Sequence, residues 1–205
     1  MTTIVPPRHD KATADAAQFA AMVAPQGMAA DRTPAAEEKP AARRGGAVAR
    51  YAWFAARIGM GWIFLWAFLD KVFGFGFATP PGKGWIDGGN PTKGFLSGAE
   101  GPFAGLYHDL AGTTFANVMF MTGLLGIGLA LLLGIGMRIA AGAGALLMVM
   151  MYAAVLPPTT NPVIDDHLIQ AVLLIGLAAA GAGNTLGLGG WWAKTRLVKR
   201  LPWLK

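Results

Sequence analysis

Asp165, Asp166 and His167 stand together at the mouth of an uncharged apolar run from Leu168 to Ala193. Apolar stretches of that length span bilayers, and ionisable groups at a bilayer edge are costly enough to mark function. Carboxylates and imidazole are also the side chains suited to carrying protons. Gln170 follows His167 by three residues and Asp166 by four, a spacing that puts them on one helical face. Asp165 or Asp166 would equally serve as a helix cap, where an acid also suits the helix dipole. At the end of another apolar run, Asp70 and Lys71 close a one-sided stripe formed with Trp62 and Trp66. Thr113, Thr114 and Asn117 open a further run, and Tyr152 lies near the end of another. The expectation is one polar cluster. In it Asp166, His167, Asp70 and Lys71 handle protons and charge, while Trp62, Trp66, Gln170, Tyr152 and Asn117 line a binding site.

Four apolar runs must position these residues. They cover about Tyr51 to Leu69, Thr113 to Gly136, Ile139 to Leu156 and His167 to Trp192. Each has about the twenty residues that a spanning helix needs. The expected fold is therefore all-α, a four-helix transmembrane bundle over residues 49–193. A disordered cytoplasmic tail over 1–48 is expected before it, and a basic cytoplasmic C-terminus over 194–205 after it. Gly126, Ala130 and Gly134 in the second run, and Gly176 and Ala180 in the fourth, have the spacing that lets membrane helices approach closely. Arg57 interrupts the first run near its inner end, where snorkelling to the interface is expected.

Loop charges set the orientation. Arg43, Arg44 and Arg50 precede the first run, Arg138 separates the second from the third, and Lys194, Arg196, Lys199, Arg200 and Lys205 follow the fourth. The positive-inside rule then puts both termini in the cytoplasm. The long loop over about 72–112 becomes external. It holds Phe73, Phe75, Phe77, Trp85, Phe95, Phe103 and Tyr107, so it is expected to fold back as a lid with a short helix near Pro102 to Leu110. Trp191 and Trp192 are expected at the inner interface, where amphipathic rings are favoured.

Composition agrees with a membrane chain. The 205 residues are 54% hydrophobic and 14% charged, against about 25% charged in an ordinary soluble domain. The net charge of +6 is accounted for by the basic flanks of the apolar runs. No basic face with interleaved aromatics appears, so no nucleic-acid partner is expected. With no cysteines, thiol–disulfide catalysis and cysteine-ligated iron–sulfur clusters are excluded. His108 and His167 are the histidines near the membrane, but neither is deep in a run, so haem is not expected. The spacing of His167 and the aspartates is not diagnostic of a metal site.

The run Gly61-Trp-Ile-Phe-Leu-Trp-Ala-Phe-Leu-Asp-Lys-Val-Phe-Gly74 resembles the first helix of DoxX/DoxD-type membrane proteins. The stretch Trp85-Ile-Asp-Gly-Gly-Asn-Pro-Thr-Lys-Gly-Phe-Leu96 and the segment Asn161-Pro-Val-Ile-Asp-Asp-His167 are also similar to that family. The resemblance covers about Arg50 to Gly190. It implies a small four-helix subunit of a bacterial cytoplasmic membrane. Some members belong to thiosulfate:quinone oxidoreductase, and others accompany terminal oxidases or other redox assemblies. Three functions stay open. One is a quinone-linked redox subunit, with quinone as cofactor and thiosulfate or a similar anion as donor. The second is a non-catalytic accessory subunit of a respiratory complex. The third is a small transporter. The partners expected are the lipid bilayer and a membrane redox complex or other protein subunits.

Overall fold

The computed structural model describes residues 39–159 and 161–204, and Arg43 to Lys205 form one compact unit. Every regular element among the described residues is helical. The long helix α1 (Lys39–Phe73) starts well before the expected first run, so residues 39–48, anticipated as tail, are helical. The rest of that anticipated tail lies outside the described residues. Two short helices follow, α2 (Lys93–Ser97) and α3 (Ala104–Leu110), then the antiparallel pair α4 (Thr114–Leu133) and α5 (Met137–Ala154). After α6 (Asp166–Ala179) come the short helices α7 (Gly189–Trp192) and α8 (Arg196–Arg200). The Thr113 hydroxyl caps α4 by accepting from Ala116 N at 3.2 Å. Gly134 ends that helix with a left-handed φ of 73°, and Gly136, at 57°, leads directly into α5. A connection this short forces the two helices to run antiparallel.

Three helices are long and apolar enough to cross a membrane: α1 over Gly46–Phe73, α4 and α5, with mean hydropathies of 1.4, 2.0 and 1.6. Only 22–39% of the residues in these stretches are buried. Their outer faces carry side chains such as Phe115 and Met119, and α6 likewise exposes Val172 and Ile175. Apolar patches of that extent mark contact with something other than water, and they make a membrane the natural surroundings of this chain.

The fourth run does not form one helix. α6 has 14 residues, about 21 Å at 1.5 Å per residue, short of the ~30 Å bilayer core. The run breaks because its second half is rich in glycine. Gly181 turns the chain with φ 63°, and the backbone then folds under the end of α4. A Cβ on Gly183 would lie 2.6 Å from the Gly134 carbonyl oxygen, so only glycine permits this approach. Leu188 N donates to the Leu133 carbonyl at 2.8 Å, fixing the turn.

Arg57 is the polar partner of this turn. It is fully buried, so it does not snorkel. One guanidinium nitrogen donates to the Leu131 carbonyl and, at 2.9 Å, to the Leu132 carbonyl. The other reaches the carbonyls of Thr185 and Leu186 at 3.3 and 3.4 Å. The last carbonyls of a helix lack intrahelical donors, and irregular backbone at membrane depth must find partners inside the protein. Arg57 meets both needs at once, and the cation also suits the negative end of the α4 dipole.

The core contains Phe64, Met121, Leu131, Leu174 and Leu177, all nearly inaccessible. Helix α1 crosses α4 where Gly61 meets Leu132 and Gly128 meets Leu65; a Cβ on Gly128 would be 2.8 Å from Leu65 N. The small-residue spacing singled out Gly126 in this helix, but Gly126 faces open space. Gly176 does meet a neighbour, with Trp53 at 3.3 Å from its would-be Cβ.

The aromatic segment between α1 and α4 is pinned to the bundle. Phe75 stacks on Trp66 at 5.8 Å, Phe77 meets the same ring edge-on at 5.2 Å, and Trp62 lies 5.8 Å away from it as well. Buried Asn117 accepts from Thr92 N at 3.1 Å and from Thr92 Oγ1 at 2.7 Å. Tyr107 of α3 donates to the Met150 carbonyl at 2.7 Å. Desolvation by burial raises the pKa of that phenol and keeps it a donor.

Candidate functional site

The start of α6 is built by Asp165. Its backbone is extended, and its Oδ1 accepts from Leu168 N at 3.2 Å. Its second oxygen accepts from His167 Nδ1 at 2.6 Å. One carboxylate therefore caps the helix and orients the imidazole. A carboxylate oxygen can only accept, so the proton lies on Nδ1 and Nε2 is the ring nitrogen left for a ligand. Burial alone would raise the Asp165 pKa. The hydrogen bonds from His167 and Leu168, with the attraction of the imidazole, outweigh it and hold the carboxyl below its usual value.

His167, Asp165 and Asp166 form one wall of a cavity of about 570 Å³. The lining also brings in Phe95, Glu100 and the Leu156–Pro158 strip. Glu100 arrives because Gly101, with φ 85°, packs onto the chain at Leu156; a Cβ there would be 2.5 Å from the Leu156 carbonyl oxygen. The result is a half-open chamber with an apolar side, three carboxyls and one histidine. Its size falls within the range of small-ligand sites, about 300–1,000 Å³.

The nine residues expected to share one cluster are distributed over several places. Asp166, which is exposed, and His167, which is part-buried, line the cavity. Gln170 is half-buried one turn further along α6 and is not in the lining. Asp70 is buried apart from the cavity, where one carboxylate oxygen accepts from Phe77 N at 3.3 Å. Its other oxygen has no hydrogen-bond partner among the described residues. Lys71 does not pair with it; among the described residues the one ion pair is Asp165–His167. The Lys71 ammonium lies 5.9 Å from the centre of the Phe120 ring instead. Trp62 and Trp66 belong to the aromatic stack. Asn117 is occupied by Thr92, and Tyr152 donates to the Val163 carbonyl at 2.6 Å, closing the loop before α6. His108 lies against the Ala99 carbonyl at 2.9 Å.

Two cavity residues lie outside the nine expected in the cluster. Asp165, part of the charged trio and a candidate cap from its sequence, also orients His167. Glu100 had no local signal, since it is one acid in a long loop whose path depends on Gly101 meeting Leu156.

No family model, curated protein or solved structure matches this chain. Among the described residues no group of three or more His, Cys, Asp or Glu is arranged to hold a metal ion. What the cavity offers is proton transfer beside an apolar surface. It has one oriented imidazole, two further carboxyls, and the side chains of Phe95 and Leu156 for a ring to lie against.

Proposed function

We propose that this chain is a four-pass membrane protein, α6 and the glycine-rich segment after it together making the fourth crossing, with both termini on the cytoplasmic side. In this reading it is a DoxX-like subunit of a quinone-linked redox system, and the α6 cavity receives the quinone headgroup. The observation that carries the reading is the Asp165–His167 pair on the wall of a half-apolar cavity. The orientation rests on charge. From Lys39 to Lys205 the acids are Asp70, Asp87, Glu100, Asp109, Asp165 and Asp166, all at or beyond the α6-mouth end of the helices. Basic residues crowd the opposite end, which the positive-inside rule assigns to the cytoplasm.

A quinone supplies a two-electron, two-proton couple: Q + 2e⁻ + 2H⁺ gives QH₂. The residues handle the protons. With both ring nitrogens protonated, His167 donates from Nε2 to a carbonyl oxygen of the headgroup. After giving up that proton it can accept from the hydroxyl that forms. Asp165 keeps Nδ1 protonated in both states and steadies the imidazolium. Asp166 or Glu100 would relay the second proton from solvent through the same cavity. Phe95 and Leu156 cover the ring. The electrons come from a donor outside the chain. Three carboxyls disfavour an anion in this cavity, so a thiosulfate-type donor fits better beside Lys71, Lys83 or Lys93.

The test is to purify the protein in mild detergent, extract its lipids for mass spectrometry, and measure decylubiquinone binding by equilibrium dialysis. Co-extracted quinone, and binding at least ten-fold weaker in His167→Asn and Asp166→Asn, support the proposal. Undiminished binding in both variants overturns the site. Stable capture in a larger enzyme whose activity is indifferent to Asp166→Asn would make the chain an accessory subunit instead.

A further inference from the structure

At the opposite end of the helices is a second, smaller notch of about 200 Å³, lined by Arg50, Tyr51, Asn184, Thr185 and Leu186. Its chemistry is the reverse of the α6 cavity. Among the described residues no carboxylate lines it. The Arg50 guanidinium lies 5.2 Å from the centre of the Tyr51 ring and makes no ion pair among the described residues. Directly behind the notch lies Arg57, fully buried, bonded through Thr185 O and Leu186 O to the chain that forms its wall. That buried charge is met by carbonyl dipoles and by the face of the Phe54 ring, 5.3 Å away, with no carboxylate beside it among the described residues, and its Nε has no hydrogen-bond partner there. Two guanidinium charges therefore act on one small opening, and a low-dielectric wall focuses their field.

The rim is apolar. Leu186 is 70% exposed, and Tyr51 is also exposed. Among the described non-glycine residues, Leu186 alone has a left-handed φ, 47°. That conformation is costly for a branched side chain. It turns the Leu186 carbonyl to Arg57 and leaves the side chain outside.

We propose that this notch binds the headgroup of an anionic phospholipid. The phosphate sits against Arg50 and within reach of the Asn184 amide and Thr185 hydroxyl, with acyl chains along Leu186 and Tyr51. A free phosphate would use the charges but leave the apolar rim uncovered; a lipid uses both. The proposal needs the membrane location and not the quinone reading. The nearby C-terminal residues Lys194, Arg196, Lys199 and Arg200, with no acid after Asp166, raise the local potential but are exposed.

The test is native mass spectrometry of the full chain in detergent, with equal phosphatidylglycerol and phosphatidylcholine in competition. The expected result is retention of phosphatidylglycerol over phosphatidylcholine, with the preference falling about five-fold in Arg50→Gln, the scale of one basic residue at an anionic surface. Glycerophosphoglycerol, the headgroup without chains, should not displace the lipid at equal concentration. Lys199→Gln is the control and should change the preference little. Equal retention of both lipids overturns the proposal. So does a preference untouched by Arg50→Gln but lost in Lys199→Gln, which would assign it to the basic surface. Displacement by the bare headgroup would make the site one for soluble phosphate esters and would equally overturn it.

Discussion

Replacing Asp165 separates its two tasks. Asp165→Asn keeps an N-cap side chain, since Asn and Asp cap about equally well, but it removes the charge facing His167. Asp165→Ala removes both. Losing the cap to Leu168 N costs about 1 kcal/mol. The 2.6 Å bond to His167 is charge-assisted and largely shielded, with the Asp165 side chain 10% and the His167 side chain 23% accessible; such bonds contribute about 1.5–3 kcal/mol at most. Partial solvation at the mouth of α6 brings a realistic value to about 1 kcal/mol. Asp165→Ala should therefore lose about 2 kcal/mol and Asp165→Asn about half of that. At about 2–4 °C per kcal/mol for a chain of this size, the expected falls in melting temperature in detergent are about 4–8 °C and 2–4 °C.

The pH dependence follows from the sign of the shift. The Asp165 carboxyl is held below its ordinary value of 3.8 in the folded protein. Its contribution is complete above that value and disappears as pH falls through the lower, folded one. The gap between the native protein and Asp165→Asn should stay constant from pH 7 to about 5 and close on further acidification. Equal melting temperatures for the Asn and Ala variants would refute the capping part of this reasoning. A gap that widens in acid would refute the electrostatic part.

Gly128→Ala should lower the melting temperature, because its Cβ would meet Leu65 N at 2.8 Å and overpacking costs about 1–3 kcal/mol; Gly126→Ala, facing open space, should be neutral or stabilising. Arg57→Met should destabilise by about 3 kcal/mol or more, since it strands the carbonyls of α4 and of the Thr185–Leu186 turn, and proteolysis should then open the chain near Gly187. Asn117→Ala removes the acceptor for two Thr92 donors. It should cost about 1–3 kcal/mol and raise hydrogen exchange in the segment around Thr92 while sparing α5.

The local content of this chain was legible in order. Apolar runs bounded by charge pointed to an all-helical chain with four spanning helices; three of the four runs are helices of spanning length, and the cluster Asp165-Asp166-His167 marks the start of α6. These follow from composition and nearest neighbours, which is why they can be read along the chain. The fourth run was harder, because hydropathy does not distinguish a helix from a glycine-rich turn. Gly183 is there to let the backbone touch Gly134, a contact between segments far apart in sequence. Arg57 resembled an interfacial residue because its four carbonyl partners lie more than 70 positions away. The site followed the same division. Asp166 and His167 were evident from their own helix, whereas Glu100 entered only where Gly101 met Leu156. Asp70, Asn117 and Tyr152 bond instead to Phe77 N, Thr92 and the Val163 carbonyl, partners that the path of the loops brings to them. Sequence alone determined which groups could carry protons at this membrane edge; tertiary packing decided which of them share a cavity.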